Sequence, residues 1–523
     1  MLKRFQLLVF ATAFFFACSD HSAPCDDSGG IDGVADQSEY NGPYLPKKPY
    51  LASFVINKSL NEDAIFQTIT GTITPAKIKL IISDGVDATN LIADFEFDGA
   101  KVTVDGTTQQ SGTTANDFTK PLEYVVHGDD GTTKSYKVEP LFLDELRNAV
   151  PHFYITTDKG LPIDSKEVYR SGQLRIDGKG EWEDFEGDME IRGRGNSTWT
   201  MPKKPYRIKL DKAAPLFGLA SAKNWVLLAN YIDTTHLGNA IALKAGRLLD
   251  LPFTHHAIPV EVTVNKEYMG LYLFTEHKEV KEGRIDVGKD GVLLEMDLLF
   301  DEPYKFKSEP YDLPVMIQYP ELDDMDEDEA EAKFNEIRDD FEELLKLIES
   351  DDPDEDYRDR FDERQLAKYL LVYLISSNME INYPKSTYIY KLSDGIYRMG
   401  PIWDFDWAYG YRSAEGKHFV NPNQALFWTH VRRNKGSPFF LRLLESDSLQ
   451  QLLEKEWDNF RAEHMESLLN YLVNYENLIR PAVVLDHKRW EQGSDDFDSE
   501  LERILDWMEA REQYITGWIE GLD

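Results

Sequence analysis

Residues 191–210 read IRGRGNSTWTMPKKPYRIKL, a glycine-containing turn that leads into a basic strand. Gly193 and Gly195 would let backbone N–H groups approach a phosphate closely, because glycine has no side chain to obstruct them. In the strand that follows, alternation places Arg207 and Lys209 on the face opposite the apolar residues. This basic cluster in an acidic chain suggests an anionic ligand, but a β-turn flanked by surface lysines explains it equally well. The spacing matches neither the Walker motif nor the dinucleotide-binding fingerprint.

A second constellation, Trp403-Asp404-Phe405-Asp406-Trp407, sets two acids among large aromatic side chains. Burying a carboxylate without a partner is costly, so simple surface charges do not explain the pattern. In an extended segment Asp404 and Asp406 lie on the same side, where two like charges favour a divalent cation. The alternative is a pair of helix caps or ion-pair acceptors.

A third constellation, Asn378-Met379-Glu380-Ile381-Asn382, follows an apolar helix predicted over 366–375 and precedes a strand predicted over 387–391. A carboxamide and a carboxylate at a helix end, one short hairpin before Asp404, could complete a metal site or a base site. Without further support, a loop cap is the better explanation of this segment.

The composition indicates an acidic chain with enough apolar residues for well-packed cores. Its 523 residues include 57 Lys+Arg and 94 Asp+Glu, a formal net charge of −37, and 42% are hydrophobic. This charge argues against a general basic surface for nucleic acid or anionic lipid. With only 2 Cys and no zinc spacing, neither a disulfide scaffold nor a structural zinc site is predicted.

The N-terminus predicts export. Residues 1–17 combine a basic start with an apolar run typical of a signal peptide and too short to span a bilayer. The run ends at Ala17-Cys18 and resembles a bacterial lipobox, which implies that Cys18 is lipidated and anchors the chain to a membrane; ordinary secretion is the alternative. Residues 18–49, rich in Asp, Ser, Gly and Pro, are predicted to form a flexible tether. No later apolar run is long enough for a transmembrane helix.

Two folded parts are predicted after the tether, so the fold class is multidomain. Residues 50–140 alternate short apolar strands with turns, which predicts a small all-β sandwich, and 110–138 resemble bacterial extracellular immunoglobulin-like repeats. Residues 145–523 begin as a mixed α+β lobe and continue as a helical lobe. Strands are predicted over 188–192, 206–210, 225–229, 259–264, 269–274 and 292–296, and a helix over 239–249.

The acidic tract 321–363 carries apolar residues at helical spacing. We interpret it as an amphipathic helix whose charged face is solvated. A docking surface for a basic partner is the alternative.

Taken together, the motifs resemble the CotH kinase family, named for a bacterial spore coat protein. The resemblance extends from about residue 150 to about residue 520 and rests on several segments in order, 191–210, 223–231, 267–276, 384–391 and 399–409. It implies a diverged protein-kinase-like fold, with a mixed lobe and a helical lobe, that transfers the γ-phosphoryl group of ATP to Ser or Thr hydroxyls of proteins.

The resemblance also implies which residues bind the nucleotide. The loop with Gly193 and Gly195 would face the phosphates, because backbone N–H groups and nearby cations neutralise their charge. The cations implied by the resemblance are Lys204, Arg207 and Lys209.

The remaining roles fall on acids and one amide. Glu276 would lie at the adenine edge, and Asp404 and Asp406 would hold Mg²⁺. Asn378 and Glu380 match the family's Asn and acidic residue, and a carboxylate at that place would orient the acceptor hydroxyl and take its proton. Asp404, Asn378 and Glu380 are therefore the catalytic residues that the resemblance implies.

The chain departs from the family pattern at two positions. Glu380 stands where the family often has Asp, which moves the carboxylate by about a bond length and could weaken catalysis. Gly238-Asn239 stands where the family usually has Arg-Asn, so a phosphate or structural contact could be lost.

The preferred reading is therefore an exported, membrane-anchored kinase, and opposite charge favours a basic Ser/Thr-containing substrate. The main alternative is a non-catalytic surface adhesion or scaffold protein that keeps the fold. A glycan-modifying hydrolase is a third possibility, but no pair of acids requires it.

Overall fold

The computed structural model describes residues 49–522 except 63, 66–67, 83–85, 143–147, 353–355, 411–420 and 428–433. The predicted signal peptide, Cys18 and all but the last residue of the predicted tether lie outside the described residues.

The N-terminal part is an all-β domain, as the alternating sequence predicts. Its strands form two sheets, of order β2-β1-β5-β8 and β3-β4-β10-β9-β6-β7. Side chains from both sheets share one core, in which the ring of Phe54 on the first sheet meets that of Tyr124 on the second, edge to face at 5.0 Å. The strands are β1 (Tyr50–Ile56), β2 (Ile69–Thr70), β3 (Thr72–Ile73), β4 (Lys77–Ile82), β5 (Leu91–Asp98), β6 (Lys101–Val104), β7 (Thr107–Gln109), β8 (Ala115–Asn116), β9 (Leu122–His127) and β10 (Thr133–Phe142).

A closed barrel of seven strands follows, in the order β11-β12-β13-β14-β15-β17-β16. Alternate side chains such as Ile191, Ile208 and Trp225 fill its interior, and the parallel pairing of β11 with β16 closes it. The sequence predicts most of these strands but not the closure. The strands are β11 (His152–Thr157), β12 (Arg170–Asp177), β13 (Phe185–Gly193), β14 (Tyr206–Ala214), β15 (Ala222–Leu228), β16 (Ile258–Val264) and β17 (Glu267–Glu276).

A five-stranded antiparallel sheet of order β19-β20-β18-β21-β22 stands next to the helices. Its two hairpin strands, β21 and β22, connect the third constellation of the sequence to the second. The strands are β18 (Val292–Met296), β19 (Lys305–Lys307), β20 (Pro314–Tyr319), β21 (Thr387–Lys391) and β22 (Tyr397–Met399).

Seven helices of the described residues complete the C-terminal part and share the largest apolar core. They are α1 (Gly238–Leu248), α2 (Glu327–Glu349), α3 (Glu363–Ser376), α4 (Gly436–Leu443), α5 (Asp447–Glu463), α6 (Met465–Trp490) and α7 (Phe497–Ile519). The acidic tract supplies α2, whose buried residues, including Ile337, Phe341 and Leu344, recur on one face. Its charged residues are mostly solvated on the other face, as the helical spacing predicts.

The chain is therefore multidomain, with an N-terminal all-β domain and a C-terminal α+β region. None of the helices in the described residues combines the length and the apolar character that crossing a membrane requires.

Candidate active site

The loop between β13 and β14, residues 194–205, is shaped by its glycines. The N–H of Arg194 donates to the carbonyl of Pro205 at 3.1 Å, which closes the base of the loop. Gly195 has a φ of +80°, a left-handed conformation that favours glycine. A Cβ at Gly193 would lie 2.1 Å from the ring of Trp199, so only glycine lets the indole pack there.

The two acids of the second constellation line one cleft with this loop, which we call the candidate cleft. Its walls include Arg194, Gly195, Asp404 and Asp406. Asp404 has a φ of +67°, so the segment is not an extended strand and strand alternation does not explain the shared orientation. The backbone turn at Asp404 and its neighbours places both acids at the cleft instead.

Asp406 is buried and Asp404 is partly exposed. Oδ1 of Asp406 accepts a hydrogen bond from Nδ2 of Asn239 at 2.5 Å, and Oδ1 of Asn239 accepts one from the N–H of Phe405 at 2.8 Å. The side chain of Asp404 keeps 29% of its surface exposed. Asn239 therefore orients Asp406, while Asp404 remains accessible to a ligand.

The third constellation contacts the backbone of Asp404. Asn378 caps a short 3-10 turn over Met379–Asn382 by accepting a hydrogen bond from the N–H of Glu380. Nδ2 of Asn378 donates to the carbonyl of Asp404 at 2.9 Å. Asn378 is therefore a loop cap that also contacts the backbone of Asp404, and its catalytic role stays a prediction.

Lys385 connects Glu380 to the cleft. Its Nζ donates to Oε1 of Glu380 at 2.7 Å and lies 3.7 Å from Oδ2 of Asp404. Oε2 of Glu380 is buried and has no hydrogen-bond partner among the described residues. Glu380 therefore reaches the candidate cleft through Lys385, and its role as a proton acceptor stays a prediction.

The acids repel one another electrostatically. Burial and the charge of Asp404 raise the pKa of Glu380 to about 8, and the same two causes raise the pKa of Asp406 to about 7. Burial alone would lower the pKa of Lys385, but Asp404 and Glu380 raise it above its ordinary value. Because one lysine faces three carboxyl groups, the cluster favours an additional cation.

Two further cations face the cleft from other elements. Arg194 lies 5.8 Å and Lys278 5.2 Å from the ring centre of Trp403. Burial lowers the pKa of Lys278, opposed by Glu295 at 3.8 Å. Together with Lys385 they give the candidate cleft three cationic side chains beside its acids.

The cations that the resemblance assigns to the phosphates lie elsewhere. Lys204 donates to the carbonyl of Trp199 at 2.7 Å, and Arg207 donates to Oδ1 of Asn224 at 3.1 Å. Lys209 lies 3.7 Å from a carboxylate oxygen of Glu190 and lines a separate groove on the outside of the barrel. Arg207 and Lys209 lie away from the cleft because side chains alternate along β14, and these two face away from the barrel interior. Their roles as phosphate ligands stay predictions.

Glu276 lines a cavity other than the candidate cleft. Its carboxylate accepts hydrogen bonds from the backbone N–H of His256 at 2.9 Å and from Nδ1 of its ring at 2.5 Å. The carboxylate is therefore already engaged, and the adenine-edge role stays a prediction.

The residues at the cleft suit a divalent cation in part. Among the described residues, no group of three or more His, Cys, Asp or Glu side chains is arranged to hold a metal ion. Mg²⁺, however, usually binds through one or two carboxylates, and substrate phosphates and water complete its shell. Asp404 and Asp406, with their mutual repulsion, fit that donor set.

Gly238 explains one departure from the family pattern. Its N–H donates to Oδ2 of Asp233 at 2.8 Å, and a Cβ at this position would lie 2.7 Å from the carbonyl oxygen of Phe405. The start of α1 therefore packs directly against the backbone between the two aspartates, where an arginine side chain would not fit without rearrangement.

Asn239, Lys278 and Arg194 are not among the site residues that the sequence predicts. Arg194 lies between the two glycines that were singled out, and Lys278 follows Glu276 by two residues. Their charge, within or next to a motif, is the sequence feature that could have indicated them. Only the fold shows which of the charged residues reach the cleft.

The chain is an all-β domain followed by an α+β region, and the cleft in that region is lined by two aspartates and three cationic side chains. The family model described as CotH kinase protein matches residues 191–515, more than half of the chain, so the chain belongs to the CotH kinase family. A second model, described as SGBP, N-terminal, matches residues 55–139.

Comparison with individual proteins adds little. No curated protein matches the chain. A crystal structure from Bacteroides thetaiotaomicron, described as a proposed glycoside hydrolase, shares 15% identity and covers 56% of this chain and 89% of its own. Its TM-score is 0.16, so this likeness carries no argument about fold or activity.

Proposed function

We propose that this chain is an exported, membrane-anchored protein kinase that transfers the γ-phosphoryl group of ATP to Ser or Thr hydroxyls of extracytoplasmic proteins. Membership of the CotH kinase family supports kinase activity at the family level. The observation that carries the finer proposal is the convergence of Asp404, Asp406 and Lys385 with the Arg194–Gly195 loop in one cleft.

The cations of the cleft would bind the triphosphate. Arg194, Lys278 and Lys385 come from three different elements and face the same space. Phosphoryl transfer depends on positioning and charge neutralisation more than on covalent help from the protein. These three residues, rather than Lys204 or Lys209, are the phosphate ligands that the geometry favours.

Mg²⁺, when bound, would neutralise charge on the phosphates. Asp404 is the accessible acid that would hold it, and Asp406, fixed by Asn239, would be the second. Asn378 positions Asp404 by bonding to its carbonyl.

Glu380, which matches the family's acidic residue, is the residue that would take the proton. In the proposed step the Ser or Thr oxygen forms a bond to the γ-phosphorus, the bond between that phosphorus and the β–γ bridging oxygen breaks, and ADP leaves. The hydroxyl proton would pass to Oε2 of Glu380, which has no hydrogen-bond partner among the described residues but is buried, so the bound substrate would have to open a path to it. Because a proton acceptor must be ionised and the pKa of Glu380 is raised to about 8, transfer should increase as pH rises from 7 towards 8.

The proposed location rests on the sequence of residues 1–49. The signal-like run and Cys18 support export and lipid anchoring, and the acidic charge of the chain supports a basic protein substrate. A scaffold that keeps the fold without catalysis is the other outcome of the test below.

The direct test is transfer of label from γ-labelled ATP to the chain itself, with Mg²⁺ present. Asp404→Asn is the informative variant, because Asn tolerates the left-handed backbone while the charge is removed. Asp105→Asn is a matched control, since Asp105 is exposed in a turn of the all-β domain and also has a positive φ, +48°. Labelling retained by Asp105→Asn and lost by Asp404→Asn supports the proposal. Equal labelling of both variants, or none by the wild type, contradicts it.

A further inference from the structure

Three residues with a hydroxyl group line the candidate cleft: Ser197, Thr198 and Ser386. They differ in how accessible they are. Ser386 is buried, with 7% of its surface exposed, and its N–H donates to Oδ2 of Asp297 at 3.0 Å. Thr198 is half-buried, whereas Ser197 is exposed. Among these three, Ser197 therefore carries the hydroxyl that a reacting group can reach most freely.

The loop between β13 and β14 places Ser197 at the cleft. At the base of this loop, the N–H of Arg194 donates to the carbonyl of Pro205 at 3.1 Å. Near the end of the loop, Lys203 is fully buried and forms an ion pair with Asp486 on α6. Because both ends of the loop are fixed, Ser197 stays beside the space in which the proposed triphosphate would bind.

The hydroxyl of Ser197 is not used to hold the loop. Ser197 precedes a short 3-10 turn over Thr198–Thr200, but its side chain forms no capping hydrogen bond to that turn. The carbonyl of Ser197 accepts hydrogen bonds instead, from the N–H of Thr200 at 3.1 Å and from its Oγ1 at 2.7 Å. A serine before a turn often caps it through its side chain. Here the backbone forms the turn, and the hydroxyl of Ser197 is left for another role.

Two cations belong to the surroundings of Ser197. Arg194 lines the same cleft, and Nζ of Lys166 donates to Oδ1 of the neighbouring Asn196 at 3.4 Å. A phosphoserine carries a charge of about −1.5 to −2 at pH 7, and nearby Arg and Lys side chains stabilise it. In a chain with a net charge of −37, these surroundings therefore suit the phosphorylated form of Ser197.

We propose that Ser197 is a phosphorylation site of this chain and that the candidate cleft of the same molecule modifies it. The inference rests on the proposed kinase function and names one acceptor for it. In this step Oγ of Ser197 forms a bond to the γ-phosphorus of ATP. The bond from that phosphorus to the β–γ bridging oxygen breaks, and ADP leaves with its electron pair. The hydroxyl proton passes to water, which reaches the exposed side chain.

The test incubates the full chain with ATP and Mg²⁺ and locates the phosphate by mass spectrometry of the digested chain. We expect the phosphate on Ser197. Because the reacting groups belong to one molecule, the rate constant of labelling should stay unchanged over about a tenfold range of chain concentration.

Three variants define the acceptor. Ser197→Ala removes the hydroxyl and is expected to lose the label from this loop and most of the label from the chain. Ser197→Thr keeps a hydroxyl and should keep the label. Ser135→Ala is the matched control, since Ser135 is exposed on β10 of the all-β domain, and it should be labelled like the wild type.

The outcomes separate this inference from the kinase proposal. Phosphate on other residues of the chain but not on Ser197 overturns the inference and leaves kinase activity standing. A rate constant that rises in proportion to chain concentration overturns the assignment to the same molecule. If Ser197→Ala keeps its label but binds ATP more weakly, the hydroxyl only holds the phosphates and the inference is wrong. No phosphate on any residue of the wild type overturns both.

Discussion

Asp404 combines a left-handed backbone with an accessible acid at the edge of a buried carboxyl cluster. Non-glycine residues with positive φ are uncommon, and Asp is among those that tolerate it. Strain of this kind persists where the surroundings enforce it, and here Asn378 and Asn239 bind the C=O and the N–H of the peptide group between Asp404 and Phe405. The segment is therefore preorganised for the position of its acid.

Gly238 provides a test of how closely α1 packs on this segment. Gly238→Ala places a Cβ 2.7 Å from the carbonyl oxygen of Phe405, so we expect a loss of about 1–3 kcal/mol in the free energy of unfolding. Gly517→Ala is the control, because Gly517 lies in α7 with no atom within 4 Å of the new Cβ and should gain about 0.5–1 kcal/mol. Urea unfolding of both variants measures the difference, and equal stability of the two would contradict the close packing.

Glu295 provides a test of the cleft's electrostatics. Burial raises its pKa from 4.5 to about 7. Since the folded pKa lies above the unfolded one, the group's stability contribution is fully present below pH 4.5 and is lost as pH rises through 7. Glu295→Gln lacks this dependence, so its stability relative to wild type should increase from pH 5 to pH 8, by up to about 3 kcal/mol.

Thermal unfolding across that pH range measures the Glu295 effect. Glu123→Gln, on an exposed position of β9, controls for the loss of one acid. A stability difference between Glu295→Gln and wild type that does not change with pH would show that Glu295 stays ionised at low cost.

Among the elements, a buried ion pair joins the loop between β13 and β14 to helix α6. Lys203 is fully buried, and its Nζ donates to Oδ2 of Asp486 on α6 and to the carbonyl of Leu271 on β17, each at 2.5 Å. Burial alone would raise the pKa of Asp486, but Lys203 and His236 hold it below its ordinary range. The loop is thus fixed to two elements at once.

Breaking that pair on one side should be costly. Lys203→Met leaves Asp486 buried without its main partner and should cost about 3–5 kcal/mol, whereas the double variant Lys203→Met/Asp486→Leu should recover most of the loss. The shift of the urea midpoint in the two single variants and the double variant measures the coupling. Additive losses would mean that the pair does not act as a unit.

Local patterns predict the elements well. The strand predicted over 292–296 coincides with β18, and that over 387–391 coincides with β21, because alternation and turn residues are local signals. Closure of the barrel depends on the parallel pairing of β11 with β16, residues about a hundred positions apart, which no local pattern encodes.

The candidate site was predictable only in part. Asp404, Asp406 and Gly195 do line one cleft. The sequence points to them because they belong to motifs whose residue types are unusual. The sequence does not predict which of the neighbouring lysines, Lys203 or Lys204, is buried. Lys203 is fully buried, and its partner Asp486 lies 283 residues away in the sequence. Charge and spacing do not report such long-range partners.

For the molecule as a whole, the proposed location depends on Cys18. Lipidation would hold the chain on a membrane, so the wild type expressed in a bacterial host should require detergent for extraction and Cys18→Ala should not. Fractionation with and without detergent measures this. Recovery of the wild type in the soluble fraction would favour ordinary secretion.

We expect the candidate cleft to bind ATP together with Mg²⁺. Calorimetry on the full chain measures this binding in the wild type, in Asp404→Asn and in the control Asp105→Asn. We expect ATP to bind to wild type and control only when Mg²⁺ is present, and binding to be lost in Asp404→Asn. No binding to the wild type at ATP concentrations up to about 10 mM, or metal-dependent binding that survives in Asp404→Asn, would contradict the account.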